Sequence, residues 1–555
     1  METPSAKSPA ALVWQLIAPE KPFFTVAIIY SIAISLLTLS VPIAVQTLIN
    51  SLVNIASTRT IVILAILLFF ALIISGALTA LRTRIMEYFE RRIYARLTAE
   101  VSLHTIYARH DYFAGRRNTD ITNRYFDIVI LQKNVPVLLV DGLALFFQML
   151  VGITLVSLYH PILLLFNLLL ILTITLIWKA WGRGATKTAI QLSHAKYETS
   201  KWLNSLAYAH EFFKSARHID YAIEQTDQLT HSYVTDHKSH FKYTFSQTIS
   251  FLLLYAVASA SLLGIGGFLV VEGQLSLGQL VAAELILAAI LFGLSKSADY
   301  LKLYYQMCGA ADEIGRVFSV PQEEEPSSSG HTITGNSLSF KNVHFDNYLF
   351  NFNIPEGAKT LVRTHNIKLE QVIIHLLKRN LHPASGSIEL CHNDLEDFDL
   401  YHLRQEIMVI DRTPIIECTI KDYLLLSFST ASLSEIKAVL EKVDVLNEVE
   451  SLPDGLDTLL SPLGNPLSQP GFLQIKLAAA LLASPKVLVI TQFFDHLPAA
   501  TIKQVTASVR DTPITVLYFT KQEAHSDFAY YLTLDIKQQT LSQSSFSNLT
   551  HTPDH

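Results

Sequence analysis

Glu284 is the only ionisable side chain between Leu275 and Ser295, a run otherwise made of apolar and small residues. A carboxylate in so apolar a run is costly. It either lines a translocation path or subunit interface, or is a protonated, hydrogen-bonded structural acid. Chemistry of other kinds is poorly provided for. The 20 histidines are scattered without an HExxH or other ligand spacing, and Cys308, Cys391 and Cys418 lie too far apart for a CxxC pair. No metal site is therefore expected. With 42 Lys and Arg against 48 Asp and Glu, the net charge of -6 supplies no basic field for nucleic acid. Half of the 555 residues are hydrophobic and only 16% are charged, which excludes a purely soluble enzyme.

The apolar residues are grouped into runs of membrane-crossing length, about 20 residues each. Phe23 to Ile49 carries no charge, and neither does the run between Arg59 and Arg82. The 37 uncharged residues from Gly142 to Trp178 divide at Tyr159, His160 and Pro161 into two helices with a tight turn. Tyr243 to Val271 is the fifth span and Leu275 to Ser295 the sixth; Pro42 is expected to kink the first. Ten Lys and Arg lie between Arg82 and Pro136 and eight between Gly182 and Gln247, against a single one, Arg59, in the opposite loops. The positive-inside rule then places both termini and both long connections in the cytoplasm of an integral, multi-pass protein. A bacterial inner or plasma membrane is the expected setting. Those connections are rich in helix formers, so the spans are expected to continue into the cytoplasm as long helices. Met1 to Glu20 has no cleavage motif, and no signal peptide is expected. On hydropathy alone this remains a generic helical membrane protein.

After the sixth span the composition changes. VPQEEEPSSSGHTITGN suits a solvated linker, and from Leu338 onward strand-like runs (SLSFKNVHF, KTLVR, VLVI, ITVLYF) alternate with helical ones (KLEQVIIHLLKRN, LSEIKAVLEKV, FLQIKLAAALLA). That alternation implies an α/β domain with a mainly parallel sheet. The order of landmarks, with ASGSIEL (Ala384 to Leu390), ESLPDGLDTLL (Glu450 to Leu460) and LSQPGFLQIKLAAALLASPKVLVI (Leu467 to Ile490), resembles an ATP-binding cassette (ABC) exporter half-transporter of the type I, secretion-like kind. The resemblance covers nearly the whole chain. It implies an all-α six-helix transmembrane domain with long cytoplasmic helical extensions, followed by an α/β ABC-type nucleotide-binding-like domain. The expected boundaries are 1–22 for a cytoplasmic N-terminal segment, 23–318 for the transmembrane domain, 319–337 for a linker, 338–540 for the nucleotide-binding-like domain and 541–555 for a polar tail.

The positions that carry chemistry in that family are altered here. Between KTLVR and the following helix the family places a glycine-rich loop whose backbone N–H groups and lysine hold the phosphates. In this chain the glycine positions are Thr364, Ile367 and Leu369, the lysine is Glu370 and the serine after it Gln371, with Lys368 the only substitute cation. One unit charge about 4 Å from a phosphate is worth roughly 4 kcal/mol at an effective dielectric near 20. Repulsion in place of attraction speaks against ATP. After VLVI, Thr491 and Gln492 stand where the Mg²⁺-binding aspartate and the water-polarising glutamate would be. Arg412 replaces the glutamine that couples metal to the membrane domain, Lys521 the switch histidine and Asn347 the adenine-stacking aromatic, for which Tyr348 is a substitute. The signature loop reads Leu467, Ser468, Gln469, Pro470, Gly471, with a proline that lacks a backbone donor.

The expectation is thus a degenerate, non-hydrolysing nucleotide-binding domain with no ATP or Mg²⁺ bound through its own motifs. The resemblance implies a homodimer or a heterodimer with another exporter half, surrounded by membrane lipid, with a periplasmic adaptor and outer channel as further partners. Peptides, lipids and drug-like molecules are the implied cargo classes. A pseudo-ATPase that scaffolds or regulates a membrane complex is the alternative, and a homodimer driven by a gradient a third. YFAGRRNTDITNRYFD (Tyr112 to Asp127) and HEFFKSARH (His210 to His218) resemble the family's two coupling segments; otherwise their basic residues form a charge belt.

Overall fold

The computed structural model describes the chain except for residues 1–7, 55–57, 115–122, 324–331, 365, 522–527, 535–538 and 544–555. It divides into two compact units, Met1–Glu323 and Glu324–His555. Most of the expected linker's centre, most of the expected polar tail and the middle of the Tyr112 to Asp127 segment lie outside the described residues.

The first unit is helical: α1 (Pro9–Ile17), α2 (Lys21–Thr38), α3 (Ser40–Asn54), α4 (Thr58–Ile106), α5 (His110–Ala114), α6 (Tyr125–Val137), α7 (Leu143–Ser157), α8 (Pro161–Tyr208), α9 (Ala216–Val271) and α10 (Leu277–Phe318). Four of these are long, with 49 residues in α4, 48 in α8, 56 in α9 and 42 in α10. At about 1.5 Å per residue each is at least twice the ~30 Å hydrocarbon thickness, so a large part of each projects beyond it. Apolar side chains such as Phe69, Phe70, Leu168 and Leu253 face outward. That placement is stable only where lipid replaces water.

The helix ends follow local rules. His160 caps α8, whose first residue is Pro161, and Ser276 with Gln279 forms a capping box on α10. The first expected span is two helices: α2 stops at Thr38, four residues before Pro42, whose missing N–H and ring cannot serve the Thr38 carbonyl. The third span starts earlier than the uncharged run suggests. Helix α6 begins at Tyr125 with Pro136 inside it, passes through a π-helical stretch at Leu138–Gly142 and continues as α7. Asp141, which breaks the uncharged run, pairs with Arg82 at 3.1 Å. Among the described residues, five helical segments are long and apolar enough to cross a membrane, whereas the sixth expected span shows a shorter apolar stretch, Leu277–Ile290.

Within the bundle, small residues allow close packing. A Cβ on Gly152 would lie 2.9 Å from Ile286 Cγ2, so α7 and α10 approach closely there. Ser35 on α2 donates to the Ala144 carbonyl of α7 at 3.0 Å. The charged halves are tied by buried acids: Glu20 to Arg92 (2.9 Å) and Arg96 (3.0 Å), Glu313 to Arg124 (2.8 Å), and Asp127 to Lys196 (2.8 Å). These pairs keep the extensions in one register, since removing one partner of a buried pair typically costs about 3–5 kcal/mol.

The second unit is α/β. Its strands are β1 (Leu338–Phe345), β2 (Tyr348–Ile354), β3 (Lys359–Arg363), β4 (Ser385–Leu390), β5 (Asn393–Asp394), β6 (Ile407–Ile410), β7 (Cys418–Thr419), β8 (Leu459–Leu460), β9 (Val487–Ile490), β10 (Thr515–Thr520), β11 (Tyr530–Leu534) and β12 (Gln539–Gln543). Its helices are α11 (Ile367–Leu377), α12 (Leu400–Glu406), α13 (Ile420–Ser427), α14 (Leu433–Lys442), α15 (Leu446–Ser451), α16 (Gln469–Ala483) and α17 (Ala499–Arg510). Six strands form one sheet in the order β12-β11-β3-β10-β9-β6, parallel throughout except for β11 against β12. The central strands β9 and β10 are buried along their whole length, which is why they read as unbroken apolar runs. In the second, antiparallel sheet, β2-β1-β4-β5, only β1 coincides with a strand-like run read from the sequence, and the pairing of the four strands has no signal there. Lys359, the first residue of KTLVR, is buried and donates to the carbonyls of Gly357, Thr512 and Ile514 at 2.6 to 2.9 Å. Burial lowers its pKa.

Candidate functional site

The carboxyl ends of β3, β9 and β10 carry Thr364, Glu370, Thr491, Gln492 and Lys521, at the place where parallel α/β sheets bind ligands, whereas Arg412 and Ser468 lie by the start of α16 and Asn347 and Tyr348 at β2. Only three residues separate β3 from α11. Thr364 Oγ1 accepts from the Asn366 N–H at 3.1 Å, and Asn366 caps α11 by accepting from the Lys368 N–H at 3.0 Å. Ile367, Lys368 and Leu369, three positions of the expected loop, are already helical. The side chains of Lys368 and Gln371 are exposed.

Glu370 turns inward and is only 4% exposed. Its Oε2 accepts from the Gln492 N–H at 3.3 Å, and Gln492 Nε2 donates to the Thr364 carbonyl at 3.3 Å. The first turn of α11 is thus joined to the end of β9 by side chains of this domain. Burial, with Asp495 and Asp411 adding to it, pushes the Glu370 carboxyl up to about 7 against the pull of the Gln492 N–H. Thr491 is buried and donates its hydroxyl to the Ile410 carbonyl at 2.8 Å. Asp495, three residues after Gln492, accepts from Tyr518 Oη (2.9 Å), Thr520 Oγ1 (2.8 Å) and the Lys521 N–H (2.9 Å). It fixes the end of β10, while the Lys521 side chain is exposed.

The start of α16 is also engaged. Ser468 caps it, accepting from the Gly471 N–H at 3.0 Å, with Pro470 in the second helical position. The carboxylate of Glu448, on α15, accepts from the Ser468 N–H at 2.6 Å and from the Ser468 hydroxyl at 3.1 Å. A Cβ on Gly471 would lie 2.3 Å from Glu448 Oε2, so the same carboxylate covers that turn. A helix N-terminus is where an anion is best held, and here the chain supplies its own. Beside it Arg412 donates to Gln469 at 3.2 Å and lies 5.2 Å from the Phe493 ring centre. Lys476, buried further along α16, donates to the Asp411 and Thr413 carbonyls. Tyr348 stacks on Phe350 at the start of β2, and Asn347 is exposed in the turn before it.

Some residues of this arrangement carry no signal in the sequence. Glu448 lies in DVLNEVES, which holds no motif, and Asp495 and Lys476 gain their meaning only from tertiary contacts. Glu284 lies on α10 with its Oε2 buried and without a hydrogen-bond partner among the described residues. In the second coupling-like segment, Phe212 stacks on His218 with ring centres 4.1 Å apart. In the first, Arg124 and Asp127 are consumed by the buried pairs described above.

Residues 24–295 match the family model described as the ABC transporter transmembrane region. A lactococcin transport/processing ATP-binding protein (LcnC-like) of Lactococcus lactis subsp. lactis is 21% identical over 96% of this chain and 76% of its own. ATP-binding cassette sub-family B member 10 of mouse mitochondria is 22% identical over 89% of this chain and 73% of its own. A bacterial Atm1-family ABC exporter solved with ATP bound shares the fold at a TM-score of 0.78, with 16% identity over 94% of this chain and 95% of that one. Residues 24–295 thus carry the transmembrane region of ABC transporters, and with an α/β unit following it the chain as a whole has the fold of an ABC exporter.

Proposed function

We propose that this chain is a membrane subunit of an ABC exporter-type transporter whose own α/β domain neither holds nor hydrolyses Mg-ATP. The observation that carries this reading is the engagement of both phosphate-facing helix starts by side chains of the same domain. Asn366 and Thr364 hold the start of α11, with Glu370 in the lysine register, and Glu448 holds the start of α16. A triphosphate would meet one carboxylate at each end in place of a lysine and free backbone donors. The residues do not fit the nucleotide, and no step of chemistry is assigned to it.

In this family two such domains pair head to tail, each ATP lying between the phosphate loop of one and the signature helix of the other. A chain altered in both elements weakens both composite sites, so an intact partner keeps only its own halves. The role left to this chain is a transmembrane half, with Glu284 toward the cargo path or the subunit interface. The relative named for lactococcin transport and processing supports a peptide among the peptide, lipid and drug-like cargo classes. The partner is a second exporter half, with a periplasmic adaptor and outer channel as further components.

Native purification from the membrane, followed by mass spectrometry of the intact assembly, tests this reading. The expected result is an equimolar second exporter half carrying an intact glycine-rich loop. Recovery with only adaptor and channel proteins contradicts it and supports a scaffold.

A further inference from the structure

Two cavities of the helical unit meet at the same pair of aromatic rings. One, of about 570 Å³, is lined almost wholly by apolar side chains of the third to sixth spans, among them Phe146, Met149, Ile174 and Leu301. The other, of about 620 Å³, is lined by Arg183, Thr186 and Lys187 of α8 together with Ser8, Pro9 and Ala10 at the start of α1. Trp178 and Tyr304 belong to both. The two spaces adjoin at these rings, so that an apolar end and a basic end lie side by side in one groove-like region.

The charges of the basic end have no ion-pair partner in the described protein. Arg183 and Lys187 line the groove, and no carboxylate among the described residues pairs with either. They are four residues apart on one helix, where like charges repel, and the positive end of α1 adds to the same field. Such an arrangement is relieved by an anion. Its depth is set by Trp178, which stands where the uncharged run of α8 ends; tryptophan favours the headgroup level of a bilayer. Gly182 lets the indole lie close against its own helix: a Cβ there would be 3.3 Å from Trp178 Nε1. The apolar end extends from this level alongside the hydrocarbon. By the distribution of Lys and Arg, the basic end faces the cytoplasmic leaflet, which carries the anionic lipids.

We infer that this groove holds one anionic phospholipid of the cytoplasmic leaflet, its phosphate on Arg183 and Lys187 and an acyl chain beyond Trp178 and Tyr304 in the apolar chamber. The inference does not depend on whether the α/β domain takes ATP. It does require a membrane-embedded chain.

The full-length protein is exchanged into vesicles of equal phosphatidylglycerol and phosphatidylcholine, released, and weighed intact by native mass spectrometry. One phosphatidylglycerol per chain is expected, with a preference over phosphatidylcholine of at least about tenfold. The double substitution Arg183→Glu and Lys187→Glu should abolish that preference. Ser297→Phe, which fills the apolar chamber and keeps both cations, should lower retention of either lipid. Monodispersity by size exclusion checks that each variant is folded. Equal retention of the two lipids, or an unchanged preference in the double variant, overturns the inference. So does displacement of the lipid by millimolar inorganic phosphate, which marks a soluble-anion site, or a dimer whose second copy covers the groove and leaves no lipid.

Discussion

Full-length protein in lipid is expected to hydrolyse Mg-ATP no faster than membranes without it, and Gln492→Glu is expected to leave that rate unchanged. The second half of the statement is the stronger test. If the missing general base were the only defect, restoring a carboxylate after β9 would recover about 10²- to 10⁴-fold in rate. On the function proposed above, the obstacle lies earlier, in ground-state binding. Glu370 stands in the lysine register, the loop before α11 has only three residues, and Glu448 covers the start of α16. A new carboxylate at 492 would also sit beside Glu370 and add repulsion to any phosphate. A turnover of about 1 s⁻¹, within the ordinary range for enzymes, that is lost on altering Gln492 or Glu370 would be the contrary outcome.

The second large effect is on stability and depends on pH. Glu370 ionises in the fold at about 7, above its ordinary value, because burial disfavours the charge. Between about pH 4.5 and 7 the folded domain keeps a proton that the unfolded chain has released, so stability falls as pH rises across that window. A glutamine in its place would mimic the protonated acid at every pH. The substitution Glu370→Gln is therefore expected to stabilise the α/β domain by about 1–3 kcal/mol at pH 8 and to change little at pH 4. Denaturant unfolding of the full-length protein at both pH values measures it. A loss of stability at pH 8 would mean that the ionised carboxylate is required by the fold.

The features legible in the amino-acid sequence are those set by local forces. The uncharged runs locate the spans because burying charge in hydrocarbon is costly wherever it occurs along the chain. Their ends are less legible. Asp141 reads as a boundary, yet its pairing with Arg82 lets the helix run on from Tyr125; Pro42 reads as a kink, yet the break falls at Leu39, one turn earlier. In the α/β unit, β9 and β10 are visible as continuous apolar runs. The antiparallel sheet of β1, β2, β4 and β5 depends on pairings such as Phe340 with Ile388, distant in sequence and without a turn signature of their own. The site divides in the same way. Substitutions at 370, 412, 491, 492 and 521 are legible because the resemblance says what each position should hold. The carboxylate of Glu448 on Ser468 is not, since twenty residues separate them and only the packing of α15 beside α16 brings them together.

Equilibrium binding of labelled Mg-ATP to the full-length chain, alone and then within its native assembly, tests the central claim most directly. The account predicts no saturable binding to the chain alone below about 1 mM, a free energy of only about 4 kcal/mol, and photolabelling confined to the partner in the assembly. One ATP per chain bound at micromolar concentration, and lost in Lys368→Ala, would contradict it.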